Sequence, residues 1–158
     1  MQVPREIHCA QSTTNTAGLS ELYSEKDFLD AFLQDLRSAA SSLVIVSPFI
    51  TNDATWKVAN ELKELKAKGV HIRVFTRPLE EHQNRYGFNL AYGRLQRIGV
   101  DVKLVSKLHH KLAVIDDSVC WKGTINILGF RDSREQMRRF QGLAAQPFVS
   151  EFNLTEPF

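Results

Sequence analysis

Short apolar runs alternate with amphipathic segments over most of this 158-residue chain. The run at residues 42–49 is almost continuously apolar, as in a strand that is buried on both faces, and residues 70–77 are predicted to form a second strand. Residues 52–69 carry apolar side chains at helical spacing and end at Gly69. Strands that alternate with helices pair in parallel, and the helices cover the sheet. The pattern therefore predicts an α/β fold.

The full pattern predicts a mixed, mainly parallel β-sheet flanked by helices on both faces. Helices are predicted at residues 24–40, 52–69, 88–99 and 144–152, and strands at 42–49, 70–77, 100–106, 109–116, 119–125 and 135–142. A turn at Asp116-Asp117-Ser118 makes residues 109–125 a β-hairpin, which adds antiparallel strands. The polar segment 1–21 is predicted to be a lead-in or linker, and residues 22–158 one domain.

Composition excludes several classes of protein. The chain is 43% apolar and 24% charged, as soluble globular proteins are. Its apolar runs are far shorter than the roughly 20 residues that cross a bilayer, and the N-terminus lacks the pattern of a secretory signal. Cys9 and Cys120 are too few for a disulfide framework and are predicted to be reduced thiols. We expect a cytoplasmic protein with no membrane partner.

Positive charge is concentrated in one part of the chain. Residues 71–139 hold 13 Lys and Arg against 7 Asp and Glu, a net charge of +6, whereas the whole chain carries only +2. A polyanion is the natural partner of such a block. A solvated basic face without a partner explains the same charges equally well.

The predicted strand 109–116 begins with three residues that can each carry positive charge, His109, His110 and Lys111. On a strand, residues two apart share a face, so the Cα atoms of His109 and Lys111 would lie roughly 7 Å apart on one side. An imidazole can attack phosphorus, and an ammonium can neutralise the charge that develops on phosphate oxygens. The pair suits phosphoryl transfer, although a surface histidine and lysine on an edge strand would look the same.

Further polar residues follow at the ends of the neighbouring predicted strands. Asp116 ends the strand of His109, and Thr124 and Asn126 end the next one. The Thr124 hydroxyl and the Asn126 amide can donate to phosphate oxygens. Glu135 begins the following strand and could orient His109.

Together, "HHKLAVID", "GTIN" and "RE" resemble the active-site pattern of the phospholipase D superfamily. The resemblance implies a phospholipase D-like α/β/α sandwich, His109 as nucleophile in a covalent phosphohistidine, and catalysis without a metal or other cofactor. It also implies that Lys111 and Asn126 bind the phosphate, that Glu135 fixes the imidazole tautomer, and that Asp116 has a mainly structural role. Thr124 replaces the usual serine.

The mechanism implied by the resemblance needs two histidines, but the chain has one copy of the motif. We therefore expect a twofold homodimer that brings two His109 side chains together. His110 is expected to be packed or hydrogen-bonded on the opposite face. A zinc site from His109 and His110 is disfavoured, because adjacent strand residues diverge and no further ligands lie nearby.

Arginines near the motif favour a phosphodiester chain as substrate, because a guanidinium binds phosphate bidentately. The candidates for substrate binding are Arg77, Arg85, Arg131 and Arg134. For any single arginine a surface salt bridge is the better explanation. Tyr86 and Phe88 could stack on bases, although Phe88 fits its helix as a packed residue.

These observations predict a metal-independent phosphodiesterase, a nuclease acting on nucleic acid with DNA favoured over RNA. Single-motif members of the superfamily are largely nucleases, sometimes joined to helicases or restriction systems. The expected partners therefore include a fused or associated helicase or ATPase, or a restriction or defence system. A phospholipid phosphodiesterase or phosphatidyltransferase is the first alternative. A catalytically silent nucleic-acid-binding dimerisation module is the second.

Overall fold

The computed structural model describes the backbone of residues 13–15, 18–129 and 133–155. The described strands are β1 (Thr13–Asn15), β2 (Gly18–Ser24), β3 (Ser42–Val46), β4 (His71–Thr76), β5 (Asp101–Leu104), β6 (Leu112–Ile115), β7 (Val119–Gly123) and β8 (Gln136–Gln141). The described α-helices are α1 (Glu25–Arg37), α2 (Asn52–Ala67), α3 (Arg85–Ile98) and α4 (Gln146–Thr155), with 3₁₀ turns at Leu79–Glu81 and Gly142–Ala144.

All eight strands form one sheet in the order β1-β2-β8-β7-β6-β3-β4-β5. The predicted mixed α/β sheet is confirmed, but its parallel part is smaller than expected. Only β3, β4 and β5 pair in parallel, and the other five of the seven described pairings are antiparallel. After β5 the chain returns to the other side of β3 and continues there as antiparallel neighbours, which the order of elements along the sequence does not reveal.

Helices cover both faces of the sheet, as predicted. On one face α1, α2 and α3 bury apolar side chains such as Phe32, Leu62 and Leu95 against the sheet residues Ile45 and Trp121. On the other face, the start of α4 packs over β3, β6 and β7. Continuous burial along β6 shows why its sequence is apolar without alternation.

Cys120 lies in the second of these clusters, and burial raises the pKa of its thiol to about 12. A thiol with that pKa stays protonated at neutral pH and reacts poorly. Cys9 lies outside the described residues. None of the described helices combines the length and apolar character needed to cross a membrane.

Helix ends follow local chemistry, with small differences from prediction. Ser24 precedes α1, but its hydroxyl donates to Asp27 Oδ2 (3.1 Å) rather than capping the backbone. Thr51 caps α2 by accepting a hydrogen bond from Ala54 N. Gly99 ends α3 at φ 101°, a left-handed conformation that favours glycine.

Two strands lie in the segment 1–21 that was expected to be a lead-in. β2 begins at Gly18 and pairs along its length with β8, while β1 pairs with β2. The polar composition of this segment hid the strands, because their stability comes from pairing with a distant strand rather than from an apolar pattern of their own.

Candidate active site

Among the residues that the structure describes, the predicted motif residues other than Asp116 lie at one edge of the sheet. This edge, here called the catalytic edge, contains the carboxyl ends of the parallel strands β3, β4 and β5. Because β6 and β8 run antiparallel to β3 and β7 respectively, their first residues lie at the same edge, as does the end of β7. Residues that are far apart in sequence are therefore neighbours here.

His109 and Lys111 lie at the catalytic edge but not on a strand. Sequence analysis placed them in β6, which instead begins at Leu112. From β5 the chain must pass the ends of β4 and β3 to reach β6, about 14 Å for three strand spacings, and residues 105–111 make this crossing. His109 is exposed, and Lys111 Nζ lies 3.5 Å from the His109 carbonyl oxygen.

Arg77 directly follows β4 and holds the crossing segment. Its Nε donates to the Leu108 carbonyl (2.7 Å), and its Nη2 lies 3.1 Å from Nδ1 and 3.4 Å from Nε2 of His109. The guanidinium lies 4.8 Å from the centre of the Phe49 ring. Arg77 was predicted to bind substrate. In the structure Nε and Nη2 contact the segment that carries His109, and substrate binding by Arg77 stays a prediction.

Glu81, in the 3₁₀ turn, fixes the same segment from a second direction. Its carboxylate accepts hydrogen bonds from Ser106 Oγ (2.5 Å) and Lys107 N (3.0 Å), and it lies 3.7 Å from Arg77 Nε. The Ser106 hydrogen bond, followed by that of Lys107, lowers the pKa of Glu81. Sequence analysis missed this residue, because its partners follow from the crossing and not from any local motif.

Asn126 and Thr124 follow β7 onto the catalytic edge and differ in what they can offer. Asn126 Oδ1 accepts a hydrogen bond from Phe49 N (3.4 Å), so the amide N–H groups are the donors that can meet a phosphate. The Thr124 hydroxyl donates to the Gln136 carbonyl (3.3 Å) and accepts from Gln136 N (3.1 Å). Thr124 therefore joins β7 to β8, and its contact with phosphate stays a prediction.

Glu135 lies at the start of β8, on the same edge, but not against His109. Its carboxylate accepts a hydrogen bond from Ser133 Oγ (2.5 Å), and its backbone N–H donates to Glu25 Oε1 (3.2 Å). The expected hydrogen bond from His109 to Glu135 is not among those of the described residues. Arg77 takes the position next to the imidazole instead.

Asp116 is the exception, because it lies at the opposite end of β6. Its carboxylate accepts hydrogen bonds from the backbone N–H groups of Ala40, Ser41 and Ser42 and from Ser41 Oγ, at 2.7–3.0 Å. Burial acts to raise the pKa of Asp116, but these four bonds outweigh it and the pKa is lowered. Although grouped with the catalytic residues, Asp116 joins the hairpin turn to the start of β3 and touches no other predicted site residue.

The remaining candidates divide by exposure. Arg85, the first residue of α3, and Arg134 are exposed, whereas Arg131 lies outside the described residues. Tyr86 is 75% exposed and Phe88 is buried, as its helical packing predicted. His110 is exposed.

Two buried polar residues that sequence analysis missed support the edge. Ser47 Oγ donates to the Phe49 carbonyl (2.8 Å) and accepts from Leu128 N (3.0 Å), which joins the loop after β3 to the loop after β7. His82 Nε2 accepts from Ile50 N (3.2 Å), and Nδ1 lies 3.1 Å from the Pro78 carbonyl. Burial lowers the pKa of His82, so the neutral ring is favoured. The one sequence signal for Ser47 was its position, since it is a polar residue directly after an apolar strand.

Comparison with known proteins agrees with this geometry. Residues 32–142 match the family model described as "Cardiolipin synthase, PLD-like domain". Among solved structures, Nuc from Salmonella typhimurium, a phospholipase D family member, superposes with a TM-score of 0.71 at 15% identity, covering 85% of this chain and 91% of Nuc. NucT from Helicobacter pylori gives 0.68 at 18% identity with the same coverages.

A polyphosphate kinase from Porphyromonas gingivalis also shares the fold, with a TM-score of 0.64 at 13% identity over 85% of this chain and 25% of the kinase. No curated protein sequence matches the chain. These identities support a shared fold only, whereas the family model spans well over half of the sequence. The chain therefore belongs to the phospholipase D-like family, and its fold is that of the phosphodiesterases of this superfamily.

Proposed function

We propose that this protein is a metal-independent phosphodiesterase that cleaves nucleic acid, with DNA as the first substrate. The observation that carries the proposal is the catalytic edge of a phospholipase D-like fold, where His109 and Lys111 precede β6 and Asn126 follows β7 on the neighbouring strand. The excess of positive charge in residues 71–139 and the exposed Arg85 and Arg134 favour a polymer of phosphodiesters.

In the proposed reaction a ring nitrogen of His109 attacks phosphorus, a P–N bond forms, and the P–O bond to the leaving oxygen breaks. The ammonium of Lys111 and the N–H groups of Asn126 stabilise the charge on the phosphate oxygens. A second imidazole gives its proton to the leaving oxygen. It then takes a proton from water, which attacks phosphorus and breaks the P–N bond.

The second imidazole is proposed to be the partner subunit's His109 in a twofold dimer. The sequence carries one copy of the motif, and His109 is exposed at the catalytic edge, where a symmetry-related copy can approach. A dimer through this edge would also join two basic regions into one groove.

Arg77 has a defined part in this proposal. A ring nitrogen that accepts a hydrogen bond from the guanidinium carries no proton, but its lone pair is then occupied. Attack on phosphorus needs that lone pair, so substrate must displace Arg77 from the imidazole. A phosphate oxygen is the natural acceptor for the Arg77 N–H that leaves the imidazole. Arg77 would then position His109 in the free protein and contact the substrate once it binds.

The test is cleavage of end-labelled single- and double-stranded DNA in excess EDTA. The wild type should cleave, and His109→Ala should lose activity by about 10³-fold or more, as expected when a nucleophile is removed. His110→Ala, an adjacent and equally exposed histidine, is the matched control and should stay within a few-fold of wild type. Cleavage that requires magnesium, or equal losses in both variants, would rule out the mechanism.

A second candidate function is phosphatidyl transfer, which the description of the matching family model favours. The same histidine chemistry would then act on a lipid headgroup. Incubation with phosphatidylglycerol vesicles distinguishes the two, because formation of cardiolipin without DNA cleavage would support the lipid enzyme. If DNA is bound but no phosphodiester is cleaved, the chain is a catalytically silent binding module.

A further inference from the structure

A basic groove lies between α2 and α3, and no residue of the catalytic edge lines it. Its volume is about 820 Å³, and four of its eight lining residues are cationic, namely Lys57, Lys63, Arg94 and Arg97. None of the residues that line it carries a carboxylate. The walls are therefore complementary to an anion that extends along the groove.

Trp56 projects into this groove with 69% of its surface exposed. The Arg94 guanidinium lies 5.5 Å from the indole centre, and Arg94 Nη1 is itself fixed by Asn52 Oδ1 (2.8 Å) and Thr55 Oγ1 (3.0 Å). The anchored guanidinium supports one side of the indole, while most of the ring remains open to solvent. An exposed, supported aromatic ring is a platform for stacking.

Arg97 lies close to the backbone of Gly93, one helical turn before it. A Cβ added at Gly93 would lie 3.2 Å from Arg97 Nη1, so the guanidinium lies directly over the helix backbone at that position. Lys63 faces it from α2. The two helices thus place cations on both walls of the groove beside the indole.

We propose that this groove binds single-stranded nucleic acid, with phosphates on Lys63 and Arg97 and a base stacked on Trp56. A single strand fits because an indole can stack on a base only when the base face is free, which a duplex does not offer. The groove begins close to the catalytic edge, since Asn52 starts α2 soon after β3 and Trp56 lies one helical turn further. It uses no residue of the catalytic edge, so binding is independent of the proposed cleavage.

The test is a titration of the full chain with a short oligothymidylate, followed by anisotropy of the labelled strand and by tryptophan fluorescence. The second tryptophan, Trp121, is fully buried, so quenching on binding reports Trp56. Trp56→Ala should weaken binding by about 5- to 150-fold, the range for loss of one stacked base. An abasic strand of equal length should bind the wild type without the quench.

The charge variant Lys63→Gln/Arg97→Gln should weaken binding and reduce the slope of log Kd against log salt by about 1.4, or about 0.7 for each lost phosphate contact. Lys26→Gln/Lys68→Gln removes two exposed cations outside the groove and should leave the slope unchanged. His109→Ala should preserve the quench, which separates this site from the catalytic one.

Wild-type affinity and salt slope in the groove variants would overturn the proposal. It would also be overturned if those variants lost binding only to vesicles containing phosphatidylglycerol, since the groove would then be a site for anionic lipid.

Discussion

Asp116 shows how one side chain can join two distant parts of the fold. Both Asp116 (φ 53°) and Asp117 (φ 52°) adopt the left-handed backbone that a tight hairpin of this kind requires. Aspartate and asparagine tolerate this conformation better than most residues. Of the two, only Asp116 also accepts four hydrogen bonds from residues 40–42. Comparing variants at the two positions therefore distinguishes the effect of the backbone conformation from the effect of these hydrogen bonds.

We expect Asp116→Asn to lower the free energy of unfolding by about 1–2 kcal/mol, a value reduced for the partial exposure of the carboxylate. Asparagine keeps the turn but loses the charge that four donors require. Asp117→Asn is the matched control and should change stability by less than about 0.5 kcal/mol. Urea unfolding at pH 7 measures both.

The deficit of Asp116→Asn should depend on pH. Because the pKa of Asp116 is lowered in the folded state, its stabilising effect is present above the ordinary value of 3.8 and is lost as pH falls below it. Wild type and variant should therefore converge in acid. A difference that stays constant from pH 7 to pH 3 would contradict this assignment.

His82 should make the free energy of unfolding depend on pH in a second range, because here the folded state disfavours the charged form of the side chain. Burial lowers its pKa, so the unfolded chain binds a proton more readily and stability should fall as pH drops below 6.5. His82→Leu should remove this dependence while costing about 1–3 kcal/mol, because the buried N–H of Ile50 loses its acceptor. His71→Gln, at an exposed strand position, should keep it. Urea unfolding from pH 5 to pH 8 distinguishes the three proteins.

Two loops position Asn126, and they are packed backbone against backbone. Leu128 N donates to Ser47 Oγ (3.0 Å), Thr51 N to the Leu128 carbonyl (2.9 Å), and a Cβ at Gly129 would lie 2.5 Å from the Phe49 carbonyl oxygen. Only glycine permits this approach. The catalytic edge is therefore held by main-chain contacts between the loops after β3 and β7.

Gly129→Ala should separate these loops, lower the free energy of unfolding by about 1–3 kcal/mol, and reduce cleavage by displacing Asn126. Gly93→Ala is the control for stability, because it lies within α3 and its only close neighbour is the mobile end of Arg97. That variant should be neutral or more stable by up to about 1 kcal/mol. Equal unfolding midpoints for both variants would refute the role given to Gly129.

The sequence predicts elements of this fold better than their contacts. The predicted hairpin is sufficient to bring His109, Lys111 and Asn126 to one edge, since the start of its first strand lies beside the end of its second. The pairing of His109 with Arg77 could not be predicted, because it depends on the crossing from β5 over β4 and β3. The hydrogen bonds between Thr124 and Gln136 could not be predicted for a related reason. A motif identifies a side chain, but it does not show which backbone groups form hydrogen bonds with that side chain.

The chain as a whole is proposed to complete its site only in a dimer. If two His109 side chains serve one site, mixing wild type with an equal amount of His109→Ala and allowing subunits to exchange should reduce activity to about a quarter, because only wild-type homodimers act. Independent monomers would retain about half. Light scattering at assay concentrations provides the control that dimers are present.

The most direct measurement for the whole account is capture of the covalent intermediate. We would incubate the protein with end-labelled oligonucleotide in EDTA, quench it, and locate the label by peptide mapping. The account predicts an acid-labile phosphoramidate on His109 that is absent from His109→Ala and retained in His110→Ala. Cleavage without any labelled peptide, or label on a residue other than His109, would contradict it.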